Sequence, residues 1–203
     1  MTGAVDPDQS MRSLRRTVAI VAAANLGYFG IEFAVAIIIG SVSLFADSID
    51  FLEDAAVNLL ILVALGWSAR RRALIGMGLA ALLLAPGIAT LWTAWQKLNA
   101  PIAPAPIPLS LTGAGALAVN LSCALLLARF RNDSGSLTRA AFLSARNDAL
   151  ANIAIILAGL VTLAIPSIWP DLVVGLGIFL LNLDAAREVF SAARSEHREA
   201  ARP

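Results

Sequence analysis

Six apolar runs, each close to the ~20 residues that a helix needs to cross the hydrocarbon core of a bilayer, divide most of this chain between them. They run from Thr17 to Gly40, Ser43 to Trp67, Ala73 to Lys97, Ile107 to Phe130, Ala141 to Ile165 and Leu172 to Val189. A soluble fold has no place for them. With 59% hydrophobic and 14% charged residues and a mean hydropathy of +0.79, the 203 residues carry more apolar surface than one core can hide. The expected fold is therefore all-α: a polytopic membrane protein built as a six-transmembrane-helix bundle. The first run is too long for the h-region of a signal peptide and carries Asn25 and Glu32, so it is expected to stay as a span. Pro101, Pro104, Pro106 and Pro108 break the chain between the third and fourth runs, and Pro166 and Pro170 between the fifth and sixth.

Arginine placement orients the bundle, because Lys and Arg accumulate in short cytoplasmic loops. Arg12, Arg15 and Arg16 precede the first helix, Arg70, Arg71 and Arg72 follow the second, Arg129, Arg131 and Arg139 follow the fourth, and Arg187, Arg194, Arg198 and Arg202 follow the sixth. Only Lys97 falls on the opposite side, and Arg146 lies within the fifth helix, where it reads as a snorkel or an ion-pair partner. Both termini are thus expected in the cytoplasm, with residues 1–16 a cytoplasmic N-terminal segment, 17–190 the transmembrane domain and 191–203 a cytoplasmic tail. Trp67, Trp92, Trp95 and Trp169 sit near span ends, where indole favours the interface. A multi-pass protein of the inner cell membrane is expected. The net charge of +1 offers no basic face for nucleic acid. A single Cys123 permits neither a disulfide framework nor a cysteine zinc cluster, and the lone His197 lies in the polar tail.

Carboxylates inside the spans narrow the function, since each must be protonated, paired or hydrated to exist in hydrocarbon. In the second helix Asp47, Asp50, Asp54 and Asn58 follow at spacings of three, four and four, forming one helical stripe with Glu53 off its centre. The fifth helix repeats the pattern with Ser144, Asp148 and Asn152, and Asn147 beside them; the first places Asn25 and Glu32 seven apart on one face. The third and sixth lack such a stripe. Helices one, two and five are expected to wall a polar pathway, joined by the fourth through Asn120 and Ser122. For Asn and Ser two readings stay open, the polar pathway or simply bonding helices together, which contributes about 1 kcal/mol per bond. Aspartate is too costly to desolvate for that purpose alone, so Asp50, Asp54 and Asp148 are the functional candidates. The second helix runs inward and the fifth outward, which sets Asp54 and Asp148 within about two turns of mid-membrane.

These residues resemble the cation diffusion facilitators, which export zinc and related divalent ions with six helices and a proton gradient. The resemblance covers most of the chain: Asn25 and Glu32, then SVSLFADSIDFLEDA from Ser41 to Ala55, AFLSARNDAL from Ala141 to Leu150, and PDLVVGLGIFLL from Pro170 to Leu181, all in the family's order. It implies a tetrahedral ion site from two ligands on the second helix and two on the fifth, which here are Asp50 and Asp54, then Ser144 and Asp148. It also implies a homodimer, and a bundle of helices one, two, four and five beside a pair formed by three and six. The chain departs from the family twice. Ser144 stands where histidine is usual, and a hydroxyl is a poorer zinc ligand than imidazole. Asn147, a water or Asp47 could complete the coordination, and an oxygen-rich site tilts toward harder ions such as Mn²⁺ without excluding Zn²⁺, Co²⁺, Fe²⁺ or Cd²⁺. The soluble metal-sensing domain of many members is also not expected in so short a C-terminal tail.

Three carboxylates in one low-dielectric cleft cannot all stay ionised. The empty site is therefore a proton store that an arriving dication displaces, which gives antiport when access alternates. Histidine base, nucleophile motif and phosphate-binding glycine loop are all missing from the spans, so a transporter rather than an enzyme is expected, with the metal ion as substrate and no cofactor. Two rivals follow from the same residues. A proton-coupled organic-cation exporter would need an aromatic-lined pocket, which 6% aromatic content does not favour. A degenerate homologue acting as a partner or sensor sits poorly with Asp50, Asp54 and Asp148 all being present.

Overall fold

The computed structural model describes residues 7–64, 88–128 and 136–183, with side chains left undescribed at 7, 8, 10, 64, 136–144 and 146. The described residues form six helices: α1 Pro7–Ile39, α2 Val42–Ala64, α3 over 88–99, α4 Pro106–Ala128, α5 Ser136–Ala164 and α6 Trp169–Leu183. The architecture is an all-α membrane bundle, as expected. The start of the third expected span, the end of the sixth, Trp67, His197 and the arginines at 70–72, 129, 131 and beyond 183 lie outside the described residues. So does the side chain of Arg139.

Local chemistry sets the helix boundaries. Helix α1 starts ten residues before the apolar run at Thr17, because Leu14 and Val18 turn inward while Arg12, Arg15 and Arg16 stay exposed on its other side. It ends at Gly40, whose φ of 61° is the left-handed conformation that glycine adopts without penalty. The Ser41 amide then bonds back to the Ala36 carbonyl at 3.0 Å, closing a Schellman-type end. Prolines open two helices instead of only separating them. Pro106 is the first residue of α4, and Pro170 lies in the first turn of α6, where a missing N–H costs nothing. The expectation that Pro170 belongs to the preceding loop is corrected on that ground.

The burial pattern is inverted relative to a soluble protein. Asn25, Glu32, Asp47, Asn58, Asn120 and Asn152 are buried at 0–2% exposure, while Ile38, Leu125 and Leu181 are about three-quarters exposed. Lipid is the solvent such a surface requires. Among the described residues three stretches are long and apolar enough to cross a membrane, Met11–Ile39, Pro106–Ala128 and Asn147–Ala164, with the shorter apolar Trp169–Leu183 behind them. Helix α2 has the length, but Asp47, Asp50, Glu53 and Asp54 dilute its hydropathy. Helix α1 packs on α2 and α4, α4 runs along α5, and α2 crosses α5. One apolar cluster, around Val18, Val21, Ile61 and Leu127, closes the end where the chain begins; another, around Ala36, Leu44, Leu109, Ile155 and Ile178, lies toward the opposite end.

At that opposite end a buried Asp171 ties three helices together. It accepts hydrogen bonds from Ser41 Oγ (2.6 Å), Ser43 Oγ (2.6 Å), Val42 N (2.9 Å) and Ser43 N (3.1 Å), so it caps the first turn of α2 from α6. Lys97 at the end of α3 lies 3.8 Å from Asp171 and donates to the Gly40 carbonyl. Gly175 permits the approach: a Cβ there would sit 2.7 Å from the Ser43 nitrogen. These contacts hold α6 against α2, one turn after another, and thereby form one wall of the site.

Candidate metal-ion site

A cleft of about 650 Å³ opens between α2, α5 and α6. Asp50, Glu53 and Asp54 line it from α2, Asn147 and Asp148 from α5, and Asn182 from α6, among apolar residues that include Ala151, Val174 and Leu181. The spacing of four puts Asp50 and Asp54 one turn apart on one face. Asp50 is buried at 8% exposure; Asp54 and Asp148 are half-buried. Asp47, Glu53, Asp54 and Asp148 all act electrostatically on Asp50. The cleft thus gathers the three candidate aspartates on two facing helices. It does not draw them to coordination distance: among the described residues no three His, Cys, Asp or Glu side chains are grouped closely enough to hold a metal ion. Ser144 lies one turn before Asp148 on α5, and its side chain is outside the described residues, as is that of Arg146.

A second polar layer lies inside the bundle. Asn120 of α4 donates to Asn152 Oδ1 of α5 at 3.0 Å, and Asn152 Nδ2 donates to Asp47 Oδ2 of α2 at 2.5 Å. Glu32 of α1 lies against Asp47. Four helices therefore meet on one buried chain of amides and carboxyls. Asn25 Oδ1 accepts from Cys123 Sγ at 3.8 Å, and Asn58 Nδ2 donates to the Asp54 carbonyl at 2.8 Å. Those two asparagines bond within the bundle and do not line the cleft.

Against protein families, residues 18–196 match the cation efflux transmembrane domain, nearly the whole chain. The chain belongs to the cation efflux family. It is a multi-pass transporter of the cation diffusion facilitator type, and its family moves metal cations. A search of curated proteins returns no match.

In this cation efflux transporter the site differs from the sequence reading at several residues. Helix α6 was expected to stand apart from the polar pathway, yet it supplies a full wall and a polar group, Asn182, whose Nδ2 donates to Asp50 Oδ1. Asn182 is a solitary asparagine at the end of an apolar run, with no periodic partner in the sequence to mark it. Helix α1 was expected in the wall and lines none of the cleft; its Glu32 points into the inner layer. Glu53, read as off the stripe, faces the cleft because α6 packs close enough to close that side. Ser122 is exposed and bonds back to the Ala118 carbonyl at 2.7 Å, so it takes no part in a pathway. Of the groups considered for completing the coordination, Asn147 lines the cleft and Asp47 does not.

Proposed function

We propose that this protein exports a divalent transition-metal ion, of the zinc, manganese, cobalt, iron or cadmium class, in exchange for protons, with Asp50, Asp54, Ser144 and Asp148 as the ion's ligands. The observation that carries this reading is that Asp50, Asp54 and Asp148 line one cleft from α2 and α5. Carboxylate oxygens at the edge of an apolar bundle attract a desolvating dication and hold protons in its absence. Closure of α5 on α2 would draw the ligands together, and the same motion in reverse would release the ion, which is alternating access by rocking of helices. An oxygen-dominated donor set favours harder ions than a histidine-bearing site does. The protein works in this reading as a homodimer in the inner cell membrane, with both termini cytoplasmic.

Purified protein in proteoliposomes tests the reading directly. Under an imposed pH gradient, a panel of divalent metals should show flux for at least one ion, with an internal dye reporting proton movement in the opposite direction. Metal flux without proton movement would make the protein a uniporter, and absence of flux for every metal would overturn the reading.

A further inference from the structure

Glu32 is fully buried, and neither of its carboxyl oxygens receives a hydrogen bond from a donor. Asp47 is equally buried; Asn152 satisfies its Oδ2, and its Oδ1 has no donor. The two carboxyls lie within hydrogen-bonding reach of each other, from α1 and α2. Ionised carboxylates are acceptors only, so two of them in contact offer each other nothing. Three acceptor oxygens without protein donors, carrying two negative charges in the bundle's interior, are among the most costly arrangements a protein can bury. One proton changes the balance: a charge is removed and the contact becomes an O–H···O hydrogen bond.

Among the described residues the surroundings offer no other remedy. The ionisable groups that act on the pair are Tyr28 of α1 and Asp50 and Asp54 of α2, all of them acids. From α5 the facing group is the neutral Asn152, and from α4 it is Asn120 behind it. The Tyr28 hydroxyl is already committed, donating to the Thr112 carbonyl at 2.6 Å.

We infer that Glu32 and Asp47 form a proton-binding site of their own, outside the ion cleft, which loads and unloads one proton in each transport cycle. The inference rests on the transport reading above and adds a proton to those displaced from the cleft itself. Asp47 precedes Asp50 by three residues, about 5 Å along the α2 axis, so a dication held at Asp50 acts directly on the pair. When the ion binds, the O–H bond of the shared proton breaks and the proton passes to water in the cleft, leaving two carboxylates facing the added positive charge. When the ion leaves, a proton returns to the same oxygens. Metal and this proton never compete for one ligand; their coupling is electrostatic, through the first turns of α2.

Glu32→Gln tests this, because the amide is neutral, keeps the shape and can donate to Asp47 where the acid did. Reconstituted Glu32→Gln protein should bind the transported metal within a few-fold of wild type and release about one proton fewer per ion. An unchanged proton count would overturn the inference. Should Glu32→Gln fail to fold, Asp47→Asn tests the pair from its other side. Infrared difference spectra separate this proposal from the transport reading: of the protonated-carboxyl absorption in metal-free wild type, the component that belongs to the pair should be lost in each variant that folds, beside any component from the cleft aspartates, whether or not metal flux is observed. Absorption that persists unchanged in those variants would overturn the proton site, while metal flux with that component lost supports both readings.

Discussion

Asn182 of α6 donates a hydrogen bond to Asp50 of α2 across the cleft. The bond ties one buried carboxylate of the cleft to α6. A hydrogen bond to a charged group contributes about 1.5–3 kcal/mol. Asn182→Leu should therefore weaken metal binding on the order of tenfold or more, and titration calorimetry on the purified variant checks it. Unchanged affinity would mean that Asp50 is positioned by α2 and α5 alone.

Asp54→Asn and Asp148→Asn keep size and hydrogen bonding but lose the charge that binds a dication. Each should abolish metal flux in proteoliposomes while the protein elutes as folded material of wild-type size. Wild-type flux in both variants would remove these residues from the site.

Ser144→His places an imidazole one turn before Asp148. Imidazole suits zinc better than a hydroxyl does, and manganese gains less from the exchange. The ratio of zinc to manganese affinity should rise in a competitive binding assay. If it does not, Ser144 does not face the ion, and Asn147 or a water is the better candidate for the remaining position.

Asp171→Ala removes the acceptor of four hydrogen bonds and leaves Lys97 buried without its carboxylate. Breaking a buried pair on one side costs about 3–5 kcal/mol. Thermal unfolding in detergent should move to clearly lower temperature, whereas Asp54→Asn should leave it nearly unchanged. Equal melting of Asp171→Ala and wild type would show that α2 and α6 are held together by apolar packing instead.

The sequence by itself determined the spans, because runs of about 20 apolar residues have only one stable solvent, and it determined the acidic stripe, because a spacing of four on a helix places Asp50 with Asp54 whatever packs against them. Ser144 and Asp148 share a face for the same reason. Partner choice across helices was decided only by the tertiary structure. Asp47 belongs to the same stripe as Asp50, yet it turns to Asn152 and Glu32 while Asp50 lines the cleft with Asn182. Three residues advance a helix by about 300°, so the two side chains look toward different neighbours. Periodicity within one helix cannot say which neighbours those are. Asp171 illustrates the same limit: no spacing within its own helix marks it, and it acts as the cap of α2 only because Gly175 lets α6 approach that backbone.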